Sequence, residues 1–338
     1  MFLRRLVNLL QPDFDVTLLD LRKADGKVPL FKGHIISPFH SRFLSILWLQ
    51  WRLLCQNHGV LHFHFSDVKG LIFVAFLLRR SQATILSLHH GVTSVSARYQ
   101  QVLRFLAPLI RRKIGTIHAL NTDQQAFYQS VIGFADSAVF QCPTHISPDD
   151  QDQPLTAETR SLLAEVMPYV LTSGVGNRLN RADLVLDYWA TRPKDGMHLV
   201  VSIYGDIDPH YADELRKKAT ALPTATLIGA MPENDFNALL KSAAVYIRPA
   251  EVDSFGIAVA DSLAFGTPVL ASDACNRADD VHVFGRYNMA EMADKLEEIL
   301  LETTGRASEE TPNDRSADYR KLYSLLAATD LQPEKGSI

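Results

Sequence analysis

Residues 246–273, YIRPAEVDSFGIAVADSLAFGTPVLASD, carry the pattern that decides the fold. An apolar run that ends at Pro249 predicts a strand, and the apolar residues around Gly256 and beyond predict a helix. Gly266 stands where a helix C-cap favours a left-handed residue, and Pro268 prevents the helix from continuing. The stretch therefore predicts a strand, a loop, a helix and a second strand, which is the repeating unit of a parallel sheet.

The rest of the chain repeats this alternation of apolar strands with longer helices. In the first half we predict strands at 15–21, 60–65, 84–88, 115–120 and 138–141, and helices at 42–56, 69–80, 99–113 and 123–132. In the second half we predict strands at 169–173, 198–204, 226–228, 244–248 and 269–271, and helices at 182–191, 211–222, 233–242, 255–264 and 318–328. Such alternation indicates an α/β protein with mostly parallel sheets.

Length and local composition favour two domains. The chain has 338 residues, more than the roughly 250–300 at which a single core stops growing. Residues 143–160 are rich in Pro, Asp, Gln and Thr and lack periodicity, which is typical of a linker. We predict an N-terminal Rossmann-like domain over 1–145, a linker over 146–162 and a C-terminal Rossmann-like domain over 163–304. A polar segment and a last helix follow over 305–338.

Overall composition excludes several classes of protein. With 47% hydrophobic and 21% charged residues, the chain is neither intrinsically disordered nor a small disulfide scaffold. Its longest uncharged apolar run, residues 71–78, is shorter than the roughly 20 residues of a membrane-spanning helix. Three cysteines lie far apart, at Cys55, Cys142 and Cys275, which predicts reduced thiols and a cytoplasmic protein.

Charge is distributed unevenly between the two halves. Residues 1–150 hold 16 Lys and Arg against 9 Asp and Glu, whereas the remainder holds 18 against 29. The basic half favours an anionic partner. Basic residues flank apolar helices there, such as 103–110, and two interpretations remain open: a solvated helix face, or a surface for anionic lipid headgroups. These residues are Arg79, Arg80, Arg104, Arg111, Arg112 and Lys113.

The turn before the helix in 246–273 predicts an anion site. A helix N-terminus presents free backbone N–H groups and the positive end of the helix dipole, and both favour phosphate. Gly256 allows the backbone to approach a phosphate closely. Two acids, Asp253 before the turn and Asp261 within the helix, suit the vicinal hydroxyls of a ribose or a hexose. Phosphate recognition beside hydroxyl recognition indicates a nucleotide sugar.

The same stretch resembles the signature of retaining family-4 glycosyltransferases, which have the GT-B fold. The matching residues are Asp253, Phe255–Gly256, Asp261, Gly266 and Pro268–Val269, with Asp in place of the family's two glutamates. The resemblance implies an α/β chain whose two Rossmann-like domains face each other across a cleft. It implies that Asp253 contacts the donor sugar and that Asp261 binds the ribose. The turn at Ser254, Phe255 and Gly256 would hold the diphosphate.

Other parts of the chain extend the resemblance. Three stretches of the first half resemble strands of that family: LHFHFSD at 61–67, SLHHG at 87–91 and IHALNTDQQAF at 117–127. The second of them implies that His90 faces the donor sugar. In the second half TLIGAM at 226–231 resembles the loop that binds the base, which implies a role for Gly229 and Met231.

One departure from the family pattern concerns the diphosphate clamp. The family normally has Gly-Arg, followed about five residues later by Lys-Gly. The corresponding stretch here, SGVGNRLNRADL at 173–184, keeps Gly174 but has Val and Asn at the two cationic positions. We predict that Arg178 and Arg181, which lie within a few residues, supply the lost positive charge.

A second departure concerns the N-terminus. Family members open with a strand and a glycine-rich loop, whereas residues 1–10 resemble the helix that follows them and 15–21 resemble the second strand. Either the chain as given begins late, or this member lacks a loop that normally helps to close the site.

Two functions of different classes follow from the sequence. The first is a retaining glycosyltransferase that moves a sugar from a nucleotide-diphosphate sugar to a hydroxyl of a surface polysaccharide or lipid-linked glycan. It would act in the cytoplasm, either free or bound to the inner face of the membrane, without a nucleic-acid partner. The second is a catalytically degenerate GT-B protein that serves as a binding or scaffold subunit of a glycan assembly complex. An epimerase would need facing catalytic acids, for which the sequence offers no clear pair.

No metal or other cofactor is expected for the first function. In a GT-B enzyme, cations and a helix N-terminus are sufficient to hold the diphosphate. His62 and His64 alternate on a predicted strand, but no acid or cysteine stands at a spacing that would complete a metal site with them.

Overall fold

The computed structural model describes most of the chain and divides it into two compact units. The described residues are 2–21, 33–55, 59–65, 68–78, 83–89, 92, 95–142, 145–148, 154–192, 196–253, 255–278, 280–303 and 315–330. The N-terminal unit comprises residues 3–143 and 315–338, and the C-terminal unit comprises 1–2 and 144–314.

Helices and strands alternate along both units. The helices are α1 (Phe2–Leu10), α2 (Arg42–Cys55), α3 (Lys69–Ala75), α4 (Ala97–Arg111), α5 (Thr122–Phe127), α6 (Ala157–Val166), α7 (Ala182–Thr191), α8 (Pro209–Thr220), α9 (Glu233–Ser242), α10 (Ile257–Ala264), α11 (Met289–Thr303) and α12 (Ser316–Asp330). The strands are β1 (Leu18–Asp20), β2 (His34–Ile36), β3 (Leu61–Phe65), β4 (Thr84–Leu88), β5 (Thr116–Ala119), β6 (Val139–Gln141), β7 (Tyr169–Val175), β8 (His198–Tyr204), β9 (Ala225–Ile228), β10 (Val245–Arg248), β11 (Val269–Ser272) and β12 (His282–Phe284). None of the helices described here has the length and apolar character needed to cross a membrane.

Every predicted strand and helix is present, with ends moved by a few residues, but one helix lies where the sequence predicts a linker. Helix α6 falls largely within 146–162. Thr156 caps it, because its hydroxyl accepts from the N–H of Thr159 at 3.2 Å. The hydroxyls of Thr156 and Thr159 donate to the buried carboxylate of Asp235, at 2.6 and 2.9 Å respectively. A tertiary contact therefore stabilises this helix.

The C-terminal unit has a Rossmann-like sheet. Its six parallel strands lie in the order β12-β11-β10-β7-β8-β9, so the first strand of the unit lies beside its fourth. The strand order reverses between β7 and β10, which pair in parallel with Val170 opposite Val245. In open α/β sheets, ligands bind outside the carboxyl ends of the strands at such a switch point. We therefore expect a ligand-binding site at the carboxyl ends of β7 and β10.

The N-terminal unit contains a parallel sheet in the order β3-β4-β5-β6, together with a separate parallel pair of β1 and β2. Helix α12 packs on this unit, although the sequence places it after the C-terminal domain. Its Tyr319 is completely buried.

A buried histidine network joins α12 to the sheet of the N-terminal unit. His62 on β3 shares hydrogen bonds with the hydroxyl of Tyr323 and, at 2.7 Å from Nε2, with Ser87 Oγ. Ser87 in turn contacts His118 Nδ1 at 2.8 Å, and His118 Nε2 lies 3.3 Å from the hydroxyl of Tyr319. Burial lowers the pKa of His118 to about 4. Burial, together with the neighbouring His118, also lowers the pKa of His62 well below its usual value.

We expect the N-terminal unit to lose stability as the pH falls from about 6.5 towards 4. The histidines stay neutral in the folded chain, whereas in the unfolded chain they bind protons near pH 6.5, so acid favours the unfolded state. For His118 alone, a folded pKa of about 4 corresponds to a free energy of unfolding about 2 kcal/mol lower at pH 5 than at pH 7.

Urea unfolding followed by tryptophan fluorescence measures this effect. In a Trp189→Phe background the remaining tryptophans, Trp48 and Trp51, both lie in the N-terminal unit. The double variant His62→Gln/His118→Gln serves as the control and should flatten the pH dependence. Equal stability at pH 5 and pH 7 in the background protein would contradict the prediction.

Candidate functional site

Gly174 lies near the carboxyl end of β7, at the switch point, and is packed against the loop that follows. A Cβ at this position would lie 2.7 Å from both the Cβ and the Oδ1 of Asn180, so only glycine fits there. The buried Asn180 donates from Nδ2 to Asn177 Oδ1 at 2.9 Å. Val175 and Asn180 stand where the family's diphosphate clamp has its two cations. Val175 is apolar, and the amide of Asn180 is buried, so neither position supplies positive charge.

The two loop arginines bind groups away from the acidic turn. Arg178 is 65% exposed and its Nη2 lies 2.6 Å from Glu214 Oε2 on α8. Arg181, with a φ of 55°, donates from Nη1 to the carbonyl of Arg286. No hydrogen bond or ion pair joins either arginine to Asp253 in the described part of the chain. Their predicted role in the clamp stays a prediction.

Asp253 instead lies between two other arginines. Its Oδ2 is 3.2 Å from Arg248 Nε and 3.1 Å from Arg277 Nη1. Arg248 is the last residue of β10, and its Nη1 donates to the carbonyl of Ser173 on β7 at 2.8 Å. Arg277, in the loop after β11, donates from Nε to the carbonyl of Ser272 at 3.1 Å. The ends of three adjacent strands, β7, β10 and β11, are thereby joined through one carboxylate. We call Arg248, Asp253 and Arg277 the Arg–Asp–Arg cluster.

The Arg–Asp–Arg cluster is buried and carries a net positive charge. The side chains of Arg248, Asp253 and Arg277 are exposed by only 12%, 9% and 2%. Burial alone would raise the pKa of Asp253, but the charges of Arg248 and Arg277 outweigh it and hold the pKa below its usual value. Burial would likewise lower the pKa of Arg248, yet the charge of Asp253 raises it above its usual value. Two guanidinium groups therefore face one carboxylate, which leaves one positive charge.

Arg277 also has a nitrogen without a partner. Its Nη1 donates to Asp253 and, at 3.3 Å, to the carbonyl of Phe255, but its Nη2 is buried with no hydrogen-bond partner among the described residues. A buried polar group left unpaired costs about 1–3 kcal/mol. This donor therefore marks a place where an acceptor from outside the chain would be favourable.

Helix α10 begins beside the same cluster. Gly256 precedes its first residue and has a φ of 78°, in the left-handed region that favours glycine. A Cβ there would lie 2.9 Å from Arg277 Nη1 and 3.0 Å from Asp253 Oδ2. The first N–H groups of the helix have no intrahelical acceptor and carry the positive end of the dipole. The predicted anion site therefore lies directly against two arginines.

Asp261, the second acid of the predicted signature, is completely buried in α10. Its Oδ1 is 3.2 Å from Nε2 of His145, whose side chain is 2% exposed. Both residues belong to the C-terminal unit. The structure therefore shows a carboxylate held by an imidazole, and the ribose-binding role of Asp261 stays a prediction.

The remaining predicted residues lie elsewhere or outside the described chain. Gly229 is exposed in the loop after β9, and a Cβ there would meet nothing within 4 Å, while Met231 packs partly on the core. His90 and Ser254 are outside the described residues. In the part of the chain that is described, no three His, Cys, Asp or Glu side chains are grouped so as to hold a metal ion.

Sequence reasoning missed Arg248 and Arg277. A charged residue at the end of a buried strand and directly before Pro249 is a signal that identifies Arg248. Arg277 offers no such signal, because it stands 24 residues beyond Asp253 and reaches it only through the fold.

Comparison with known proteins finds a family match within the C-terminal unit. Residues 157–314 match the family model of glycosyl transferases group 1. No curated protein matches the sequence. The match confirms the resemblance to these glycosyltransferases over residues 157–314.

Comparison with solved structures identifies the fold. A UDP-forming α,α-trehalose-phosphate synthase from Burkholderia xenovorans aligns with a TM-score of 0.60 at 12% identity, over 88% of this chain and 80% of that one. Anabaena Alr3699/HepE in complex with UDP aligns with a TM-score of 0.58 at 14% identity, over 88% and 82%. The trehalose-6-phosphate synthase OtsA aligns with a TM-score of 0.59 at 12% identity, over 86% and 74%. The predicted fold, GT-B with two Rossmann-like domains, is confirmed.

Proposed function

We propose that this chain, which has the GT-B fold, is a glycosyltransferase of the group 1 type that moves a sugar from a nucleotide-diphosphate donor to a hydroxyl acceptor with retention of configuration. The observation that carries the proposal is the Arg–Asp–Arg cluster beside the start of α10, at the switch point of the Rossmann-like sheet. Positive charge, free backbone N–H groups and a glycine without a Cβ meet there, which suits a diphosphate.

The donor would bind along the carboxyl edge of the C-terminal sheet. Its diphosphate would lie against Gly256 and the first turn of α10, within reach of Arg248 and of the unpaired Nη2 of Arg277. Asp261 would bind the ribose hydroxyls, a step in which the carboxylate exchanges its contact with His145 for the sugar. Gly229 and Met231 would contact the base.

In the reaction the acceptor oxygen bonds to the anomeric carbon on the face from which the diphosphate departs. The bond between that carbon and the diphosphate oxygen breaks, and the acceptor proton passes to the departing phosphate. Negative charge grows on the diphosphate, and fixed guanidinium and N–H groups stabilise it without reorganisation. Asp253, which two arginines hold ionised, would orient the hydroxyls of the donor sugar, and no protein nucleophile is required.

The loop arginines are a second source of positive charge in this proposal. To reach a diphosphate, Arg178 would leave Glu214, with which its exposed ion pair is worth little. Arg181 would leave the carbonyl of Arg286. The cluster formed by Arg248 and Arg277 needs no such exchange, so we assign it the larger share of diphosphate binding.

The acceptor is proposed to be a hydroxyl of a surface polysaccharide or a lipid-linked glycan, assembled on the inner face of the membrane. The similar structures include a UDP-forming synthase and a protein in complex with UDP, which makes a uridine nucleotide the first donor to test. The proposal includes no metal and no nucleic acid.

Calorimetric titration with UDP, GDP and ADP, in buffer without divalent metal, tests the donor site. We expect one of the three nucleotides to bind with micromolar affinity. Failure of all three would favour the second candidate, a binding or scaffold subunit of a glycan assembly complex. The observation behind that candidate is the apolar Val175 and buried Asn180 where the family's clamp cations are expected.

The Asp261→Asn variant tests the ribose contact. We expect it to weaken binding of the nucleotide about tenfold, because an amide replaces a charge-assisted acceptor of two hydroxyl groups. Asp187→Asn, on the exposed side of α7, is the matched control and should bind as the unaltered chain does. Unchanged affinity in Asp261→Asn would contradict the assignment, and circular dichroism establishes that both variants are folded.

A further inference from the structure

Helix α2 of the N-terminal unit presents an apolar stripe to solvent. Its members stand at spacings of four, four and three residues, which places them on one side of the helix. They are Phe43, Leu47, Trp51 and Leu54, exposed by 67%, 48%, 58% and 58%. Leu49 and Leu53, on the other side of the helix, are buried in the core. Helix α2 therefore has one face for the core and a second apolar face that nothing in the described chain covers.

The stripe continues onto the end of α3. Gln50 donates from Nε2 to the carbonyl of Phe76 at 3.2 Å, and its Oε1 accepts from the N–H of Leu78 at 3.0 Å. These bonds fix the turn after α3 beside α2. The side chains of Phe76 and Leu78 are 61% and 63% exposed. We call Phe43, Leu47, Trp51, Leu54, Phe76 and Leu78 together the α2 face. Six large apolar side chains exposed on neighbouring elements are typical of a contact site.

The part of the chain that contains the α2 face is strongly basic. Helices α1 to α4 contain eight Lys and Arg and no Asp or Glu. Over residues 21–122 of the sequence there are fourteen Lys and Arg against two acids, Asp25 and Asp67. A protein partner would normally meet a surface of mixed charge, whereas an anionic bilayer offers a continuous plane of negative charge.

We propose that the α2 face docks the N-terminal unit on an anionic lipid bilayer, with α2 lying in the interface. An interfacial helix buries an apolar face between headgroups and acyl chains while basic residues meet the anionic surface. Trp51 at the centre of the stripe is a residue type enriched at that depth. Arg42, which is exposed at the start of α2, adds positive charge to this helix. This docking does not depend on the proposed transfer reaction, because it involves the N-terminal unit alone.

Vesicle sedimentation tests the proposal with the full chain. The probes are vesicles of phosphatidylcholine alone and vesicles of phosphatidylcholine with phosphatidylglycerol at 7:3. We expect the chain to bind the anionic vesicles at least about tenfold more tightly than the neutral ones, with the difference lost in high salt. The variant Leu47→Gln/Trp51→Gln should reduce binding to anionic vesicles at least about tenfold, because both side chains leave the acyl region.

The matched control is Leu301→Gln, an apolar residue of α11 in the C-terminal unit that is 78% exposed. Its binding should equal that of the unaltered chain, and circular dichroism should show all variants folded. Failure to bind anionic vesicles, or equal binding by the double variant, would overturn the proposal. An oligomer in solution that Leu47→Gln/Trp51→Gln dissociates would also overturn it, since the α2 face would then join copies of this chain.

Discussion

Replacing Gly256 by alanine should weaken binding of the nucleoside diphosphate at least about 30-fold. The new Cβ would lie 2.9 Å from Arg277 Nη1 and 3.0 Å from Asp253 Oδ2, so the methyl group would displace the cluster from the start of α10. The φ of 78° adds about 1–2 kcal/mol of backbone strain for a residue with a side chain. Calorimetry with the nucleotide that binds the unaltered chain measures the loss.

Gly196→Ala separates strain from displacement. Gly196 has a φ of 84°, but a Cβ there would meet nothing within 4 Å, and the residue lies in the same unit. This control should lose a similar amount of stability to backbone strain and still bind the nucleotide normally. If Gly256→Ala binds the nucleotide as tightly as Gly196→Ala does, the turn before α10 is not the phosphate site.

Arg277→Met should both destabilise the C-terminal unit and weaken nucleotide binding. The methionine keeps much of the side-chain volume of Arg277, but Asp253 is left with Arg248 as its one arginine partner in the Arg–Asp–Arg cluster. The site is buried, since the Arg277 side chain is only 2% exposed. Removing one partner from a buried ion pair costs about 3–5 kcal/mol, and we expect about 3 kcal/mol in the free energy of unfolding because Arg248 remains. Loss of a charged donor to the diphosphate should weaken binding about 10- to 100-fold.

Two further variants make the Arg277 prediction specific. Arg216→Met removes an exposed arginine from an ion pair with Asp213 on α8 and should change the free energy of unfolding by less than about 0.5 kcal/mol. Arg277→Met/Asp253→Asn should recover part of the lost stability, because the uncompensated carboxylate is gone, but not the lost affinity. Recovery of affinity in the double variant would mean that Arg277 acts only through Asp253.

Much of the fold follows from periodicity alone. The apolar strands β7, β8 and β10 are mostly buried, so their continuous apolar runs differ clearly from the helices between them. Two strands were not predicted, β2 (His34–Ile36) and β12 (His282–Phe284), since each has only three residues and the sequence around it shows no longer apolar run. Helix α6 escapes it because its stability depends on Asp235, a residue 79 positions beyond Thr156.

The site is less predictable than the fold because its partners are distant in sequence. The Phe255–Gly256 turn and the acids on either side of it are local, and their pattern indicates an anion site. Which cations face that turn depends on strand order, which the sequence does not specify. Arg178 and Arg181 are near Gly174 along the chain, yet they bind Glu214 and a carbonyl group elsewhere. Arg248, at the end of β10, and Arg277, in the loop after the adjacent strand β11, both contact Asp253.

The most direct test of the central claim is a crystal structure of the chain with the nucleoside diphosphate that binds it in solution. The claim is that the diphosphate lies at the switch point of β7 and β10. We predict phosphate oxygens within about 3 Å of the backbone N–H groups that begin α10 and of a guanidinium nitrogen of Arg277. A nucleotide whose phosphates instead contact Arg178 and Arg181, with the Arg–Asp–Arg cluster closed and untouched, would contradict this account.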